Sequence, residues 1–157
     1  MSADGGRDAA GTAVPPPILY VGAMILGVIL NFFFAITFLP AVLAWTMGPL
    51  FVVVGIVLIV SAFRALIRGN TPLDPSLPTA SVVKEGVYRF TRNPIYLSFT
   101  LICLGVSFTF NLVWALALLV AVFIAIDRGQ IRREEKYLER KFGEEYLRYK
   151  ERVRRWF

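Results

Sequence analysis

Charged residues are absent from two long stretches of the chain, and the remaining polar residues collect between and after them. Residues 18–63 contain no charged side chain, and neither do residues 93–126. One helix needs about 20 apolar residues to cross a bilayer, so the first stretch is long enough for two crossings. We predict helices over about 18–39 and 48–67, with the turn at Pro40 and residues 45–49, where Trp45 is typical of the headgroup region.

The second uncharged stretch must also hold two helices if the basic segments on either side of it are to share one face of the membrane. Its turn is predicted at Phe110-Asn111. Each helix then has about 16 residues and a length of about 24 Å, less than the roughly 30 Å of the hydrocarbon core. We therefore expect either a thinned bilayer or helix ends inside the protein, and a fourth helix that continues past Asp127.

The polar segments suggest a tail, a loop and a surface helix. Residues 1–17 are small and polar, which predicts a disordered N-terminal tail. The 68–92 loop has prolines at positions 72, 75 and 78, and this three-residue spacing favours an extended path. Beyond it, an apolar stripe with helical spacing predicts an amphipathic helix that Gly143 interrupts. The stripe consists of Ile131, Leu138, Phe142, Tyr146, Tyr149 and Val153. A helix lying in the membrane interface is the alternative interpretation.

These patterns predict an all-α integral membrane protein with about four transmembrane helices in two hairpins and a C-terminal amphipathic cytoplasmic helix. The expected units are the tail (1–17), a transmembrane hairpin (18–67) and a core of residues 68–157. Four crossings place all 17 Lys and Arg residues on one side of the membrane. Basic loops favour the cytoplasm, so both termini are predicted to be cytoplasmic.

Composition excludes an ordinary soluble domain, because 57% of the residues are hydrophobic and only 18% are charged. A net charge of +6 favours membrane lipids with anionic headgroups as partners rather than nucleic acid. Cys103 is the only cysteine and lies in an apolar stretch, which excludes a disulfide within the chain. The absence of histidine removes the usual general base and the commonest metal ligand, so we expect no metal.

The sequence GVYRFTRNPIYLS at residues 86–98 carries the clearest candidate chemistry. Asn93-Pro94 predicts a helix start with asparagine as the N-cap, and a helix N-terminus can hold an anion. Two arginines and two tyrosines accompany it. By itself this stretch predicts either a site for a charged small molecule or a membrane anchor, since both residue types also accumulate at interfaces.

Two separated blocks together resemble the integral-membrane, S-adenosylmethionine-dependent methyltransferases, a family that includes isoprenylcysteine carboxyl methyltransferase and the phospholipid N-methyltransferases. The family pattern is G-x-Y, R-H-P-x-Y, E-E-x-x-L and F-G-x-x-Y-x-x-Y. The matching positions are Gly86-Val87-Tyr88, Arg92-Asn93-Pro94-Ile95-Tyr96, Glu134-Glu135-Lys136-Tyr137-Leu138 and residues 142–149. The resemblance covers about residues 71–156, and the two blocks together are far more specific than either alone.

The resemblance implies a cofactor pocket enclosed by the last two transmembrane helices, the preceding loop and the tail. By motif position, S-adenosylmethionine is expected to contact Val82, Val83, Tyr88, Asn93, Pro94, Tyr96 and Glu134. Arg92 and Glu135 are the implied catalytic residues. The prenylcysteine enzymes have histidine where this chain has Asn93, and a substrate-binding arginine where it has Gln130. Arg128 or Arg132 is a possible substitute, so Arg128 and Gln130 are the expected substrate contacts.

The leading hypothesis is methyl transfer to a lipophilic acceptor, most simply a carboxylate. A carboxylate is ionised at neutral pH and needs no general base, which agrees with the absence of histidine. An arginine can orient it through two parallel hydrogen bonds. Transfer to a phospholipid or other amine is one alternative, and a non-catalytic lipid-binding membrane protein is another.

Overall fold

The fold, taken from a computed structural model, is described for residues 15–72 and 81–156. Residues 1–14 of the tail predicted for 1–17 and the loop prolines at 75 and 78 lie outside these ranges, whereas Pro16 and Pro17 lie in the first helix. Within the described ranges all regular secondary structure is helical, and no strand is present. The helices are α1 (Pro16–Phe33), α2 (Ala41–Arg68), α3 (Pro94–Thr109), α4 (Val113–Ala125), α5 (Arg132–Phe142) and α6 (Glu144–Arg152).

The predicted all-α membrane architecture is confirmed. Three helices are long and apolar enough to cross a bilayer: α1, α2 and the continuous helix Val113–Phe142. The fourth, α3, is apolar and has 16 residues, the short length that the sequence predicted. The protein is therefore an integral membrane protein built from two helical hairpins.

The first hairpin turns earlier than predicted. The connection lies at residues 34–40, α2 begins at Ala41, and Trp45 and Pro49 both lie inside that helix. The prediction placed residues 45–49 in the turn, but prolines are tolerated inside transmembrane helices, where neighbouring groups compensate for the lost hydrogen bond. Pro40, directly before α2, is the proline that marks the boundary.

The second hairpin turns where predicted, between Thr109 and Val113. Asn111 has a φ of 53°, a left-handed conformation that asparagine adopts more readily than most residues. Its Oδ1 accepts hydrogen bonds from the amides of Phe38 at 3.1 Å and Leu39 at 2.8 Å. The two uncharged turns therefore lie together at one end of the bundle, as the four-crossing topology requires.

Close packing of α2 on α3 depends on two glycines. A Cβ atom added to Gly105 would lie 2.6 Å from the carbonyl oxygen of Gly48, which is far inside van der Waals contact. At the other end of α3, Asn93 and Pro94 are buried. The short helix thus begins inside the protein, one of the two arrangements expected for a helix of this length.

The last transmembrane helix continues past Asp127, as predicted, and contains a π-helical segment at Ile126–Ile131. Both isoleucines at the ends of this segment pack in the core with Tyr20 of α1. Gly143, with a φ of 51°, then separates α5 from α6. The predicted amphipathic stripe packs within the protein, since Tyr146, Tyr149 and Val153 form a cluster against Val82 of the loop.

Candidate functional site

A cavity of about 300 Å³ lies among the end of α2, the 81–92 loop, the start of α3, α5 and α6. Every residue predicted to contact the cofactor lines it, as do both predicted catalytic residues. These residues are Val82, Val83, Tyr88, Arg92, Asn93, Pro94, Tyr96, Glu134 and Glu135. The structure therefore brings the two sequence blocks together around one space.

The remaining wall was not predicted. It includes Phe63 and Leu66 of α2, Phe99 of α3, and Tyr146 and Tyr149 of α6. The α2 and α3 residues look like any other apolar residues of a membrane helix, so the sequence carries no signal that singles them out. The two tyrosines belonged to the amphipathic stripe and were equally consistent with the membrane interface.

The helix start at Asn93-Pro94 is confirmed, but the predicted side-chain cap is wrong. Pro94 occupies the first position of α3, and the Asn93 side chain makes no capping hydrogen bond. Its Nδ2 instead donates to the carbonyl oxygen of Arg155 at 3.3 Å, and the Thr91 hydroxyl donates to the same oxygen at 2.9 Å. The corner between the loop and α3 is thus tied to the chain beyond α6.

Glu134 is held in place through one of its two carboxylate oxygens. The Tyr96 hydroxyl donates to Oε1 at 2.5 Å, and Gln130 Nε2 donates to the same atom at 2.8 Å. Within the described ranges, Oε2 receives no hydrogen bond. The residue therefore offers the cavity a carboxylate oxygen whose position is fixed by its neighbours.

The two predicted substrate contacts lie outside the cavity wall. Gln130 is connected to the site through its hydrogen bond to Glu134. Arg128 is exposed on the π-helical segment. The structure therefore does not bring either residue to the cavity with the other predicted positions.

Glu135 lies at the centre of a buried ionic network and is only 6% exposed. Arg155 Nε donates to its Oε1 at 3.1 Å, and Arg155 Nη2 donates to its Oε2 at 2.6 Å. The remaining terminal nitrogen of Arg155, Nη1, lies 3.2 Å from both carboxylate oxygens of Asp127. These hydrogen bonds, chiefly those to Glu135, raise the pKa of Arg155. Both oxygens of Glu135 are consequently occupied by one arginine.

Arg92 contributes a second, largely buried cation to this network. Its Nη1 lies 3.1 Å from Glu135 Oε1, an ion-pair distance without the alignment of a hydrogen bond. Nε and Nη1 are buried and have no hydrogen-bond acceptor among residues 15–72 and 81–156. Buried polar atoms are normally hydrogen-bonded, so these two nitrogens, which lie beside the cavity, are available to donate to an anionic group of a ligand.

Tyrosine hydroxyls complete the polar wall. Burial raises the pKa of Tyr146 to about 12 and also raises the pKa values of Tyr88 and Tyr149. All three hydroxyls are therefore protonated at neutral pH and can act as hydrogen-bond donors. Tyr149 uses its proton internally, donating to the Tyr88 carbonyl at 2.7 Å. This bond fixes α6 against the loop that carries Tyr88.

Sequence reasoning missed the roles of Asp127, Thr91 and Arg155. Arg155 lies in a stretch with several similar arginines, Arg148, Arg152 and Arg154 among them. Nothing in the helical spacing distinguishes it, because it follows the end of α6. Its function in the network depends on a chain reversal after Arg152 that a local pattern does not encode.

The geometry defines the class of protein as an all-helical membrane bundle with a half-open, charged cavity on its basic side. The phospholipid methyltransferase family model matches residues 43–145, which include α2, α3, α4 and the glutamate pair. The chain belongs to this family, and it is a membrane methyltransferase by that membership. The resemblance inferred from the sequence motifs is confirmed.

Two individual relatives match shorter stretches. An uncharacterized protein of Haemophilus influenzae is 55% identical over 64 residues, which cover 40% of this chain and 98% of that protein. The Protein-S-isoprenylcysteine O-methyltransferase of Saccharomyces cerevisiae is 36% identical over 72 residues, which cover 46% of this chain and 30% of that protein. The chain thus matches less than a third of the yeast protein's length.

Proposed function

We propose that the protein is an S-adenosylmethionine-dependent methyltransferase whose acceptor is a carboxylate on a lipophilic molecule. The observation that carries this proposal is the buried Arg92, whose Nε and Nη1 have no acceptor among the described residues although the side chain lines the cavity. An anion is the ligand group that such donors prefer, and a carboxylate oxygen can accept a hydrogen bond from either nitrogen.

The residues of the cavity suit the proposed cofactor. A volume of about 300 Å³ is at the lower end of the range for small-molecule sites. Glu134 presents a carboxylate oxygen that can pair with an ammonium group or with ribose hydroxyls. Val82 and Val83 provide an apolar wall. When bound, S-adenosylmethionine supplies a methyl group already activated by its sulfonium.

The protein's own task is then mainly to align the acceptor with the methyl group and to exclude water from the reacting groups. Arg92 would hold the acceptor carboxylate in one orientation, and the buried walls would keep the reacting groups out of bulk solvent. An ionised carboxylate needs no base to remove a proton, which is consistent with a chain that contains no histidine. Glu135 would remain bonded to Arg155 during the reaction.

The acceptor would reach the cavity from the bilayer. The yeast relative is named as an O-methyltransferase of an isoprenylcysteine, which supports an oxygen acceptor on a lipophilic molecule. The cavity lies at the end of the bundle that carries the basic residues. Since basic segments favour the cytoplasmic side, we propose that both termini and the cavity face the cytoplasm.

Isothermal titration of the purified protein with S-adenosylmethionine tests cofactor binding. We expect binding by the wild-type chain and much weaker binding by Glu134→Ala. Glu144→Ala is the matched control, because Glu144 is an exposed glutamate in the first turn of α6. Absence of wild-type binding, or equal binding by Glu134→Ala, would contradict the proposal.

The acceptor class is tested by incubating membranes that contain the protein with cofactor labelled on the methyl group. A carboxylate acceptor gives a methyl ester, which releases labelled methanol in base. A base-stable label would instead show transfer to an amine, such as that of a phospholipid. No transfer to any lipid or protein fraction would favour a non-catalytic lipid-binding role.

A further inference from the structure

The four residues after α6, Val153–Trp156, form a segment that crosses the start of α3; we call it the closing segment. The amide of Arg92 donates to the Arg154 carbonyl at 3.1 Å. Thr91 and Asn93 both donate to the carbonyl of Arg155. The closing segment is therefore attached, residue by residue, to the corner that carries Arg92.

Its other side is attached to the last transmembrane helix. Trp156 Nε1 donates to Asp127 Oδ1 at 3.0 Å, and the Trp156 ring lies 4.7 Å from the Phe123 ring, centre to centre. The closing segment thus bridges the two transmembrane helices whose ends form the cavity. This fixes the position of the Arg155 backbone between Arg92 on one side and Asp127 on the other.

The side chain of Arg155 decides how the charges beside the cavity are paired. It donates to both oxygens of Glu135. Without it, Arg92 would be the only cation within 4 Å of the Glu135 carboxylate in the described part of the chain. A buried carboxylate with one arginine neighbour favours two parallel hydrogen bonds to it, and these would use at least one of the Arg92 nitrogens that now lack acceptors.

We infer that Arg155 is a positioning residue: by occupying both oxygens of Glu135, it leaves the Arg92 guanidinium available to the carboxylate of a ligand. The inference rests on the proposed function, and it adds a residue to which no sequence motif assigns a role. Two ligand groups share this chemistry, the carboxylate of the cofactor's methionine portion and the carboxylate of the acceptor.

A double-mutant cycle with Glu135 tests the inference. If Arg155 acts by occupying Glu135, then Arg155→Ala should weaken ligand binding by roughly 10-fold or more, the effect of losing a charge-assisted hydrogen bond. The same change made in the Glu135→Gln background should cost much less, because no excess carboxylate remains to capture Arg92. Arg155→Lys should retain part of the affinity. Arg154→Ala, an exposed neighbour in the same segment, is the control.

Two pairs of probes separate the sources of the carboxylate. S-adenosylmethionine and its decarboxylated analogue are titrated in parallel, and KM is measured for N-acetyl-S-farnesylcysteine as a lipophilic carboxylate. If Arg155→Ala loses affinity for intact S-adenosylmethionine but not for the decarboxylated analogue, Arg92 binds the cofactor's carboxylate. A higher KM with unchanged cofactor binding assigns the acceptor's carboxylate. Unchanged values for all probes in Arg155→Ala, or equal losses in both Glu135 backgrounds, would overturn the inference.

Failure of the proposed function is recognised separately. If the wild-type chain binds no S-adenosylmethionine and methylates nothing, the methyltransferase proposal and the ligand role of Arg92 are both wrong. Thermal unfolding of the solubilised full chain, without any ligand, then tests whether Arg155 acts through Glu135. Arg155→Ala should lower the unfolding midpoint temperature clearly in the wild-type background and little in the Glu135→Gln background. Equal decreases would show that Arg155 supports the fold without acting through Glu135.

Discussion

Replacing Arg92 by methionine should separate ligand binding from folding. The change removes a buried cation beside the cavity and retains much of the side chain's apolar volume. Glu135 keeps both of its hydrogen bonds to Arg155, at 3.1 and 2.6 Å. The loss of stability should therefore stay well below the roughly 3–5 kcal/mol that follows when a buried ion loses its only partner.

The ligand should be affected far more strongly. A hydrogen bond to a charged group contributes about 1.5–3 kcal/mol, so losing one corresponds to roughly 10-fold to 150-fold weaker binding. Arg92→Lys should lie between wild type and Arg92→Met, because it keeps the charge and loses the planar pair of donors. The measurements are the Kd of S-adenosylmethionine by titration calorimetry and the KM of N-acetyl-S-farnesylcysteine.

Arg89→Met is the matched control, since Arg89 is an exposed arginine three residues earlier in the same loop. It should leave Kd and KM within about twofold of wild type, the range expected for a surface substitution. If Arg92→Met behaves like Arg89→Met, the unpaired nitrogens of Arg92 do not mark an anion site. If it instead prevents folding, Arg155 alone does not stabilise Glu135.

Three further predictions concern the supporting structure. Tyr96→Phe removes the 2.5 Å hydrogen bond to Glu134. It should weaken cofactor binding by about 5-fold to 10-fold in calorimetry, with little change in the unfolding temperature. An unchanged Kd would show that Glu134 does not need this hydrogen bond to bind the cofactor. Gly48→Ala places a Cβ about 2.0 Å from the Thr109 hydroxyl of α3 and should cost about 1–3 kcal/mol of stability. Gly22→Ala, with nothing within 4 Å of the added Cβ, should be neutral. Equal unfolding temperatures for the two variants would contradict the close packing of α2 on α3. Asn111→Ala leaves two backbone amides without their acceptor and should lower the free energy of unfolding by about 1–3 kcal/mol. Asn111→Asp keeps an acceptor oxygen and should lower it less. Similar unfolding temperatures for both variants would contradict the role of the Asn111 oxygen as acceptor.

Charge and hydropathy predicted most of the fold because the bilayer restricts the alternatives. Uncharged stretches can only be helices that cross or enter the membrane, so the number of helices and the second turn followed directly from the sequence. The first turn was placed wrongly because both Pro40 and Pro49 are potential boundaries. In the structure α2 begins before the second proline, at Ala41, and Gly48 packs against α3.

The candidate site was predictable to the extent that it is made of recognisable motifs. Tyr88, Tyr96 and Glu134 were located by the resemblance to the family's motifs, and the structure places all three on one cavity. Arg155 was not, because its role depends on which carboxylate it meets after the chain reverses. Gln130 was assigned to a substrate by analogy, whereas its amide lies against Glu134.

The short length of α3 determines how deep in the membrane the reaction would occur. Sixteen residues span about 24 Å, so a helix that starts from the far surface ends about 6 Å below the near surface of a 30 Å hydrocarbon layer. Asn93 and Pro94, at the start of this helix, form part of the cavity wall. A long-chain molecule could then present its polar head for methylation while its tail stays among the lipid chains, and its extraction into water would not be needed.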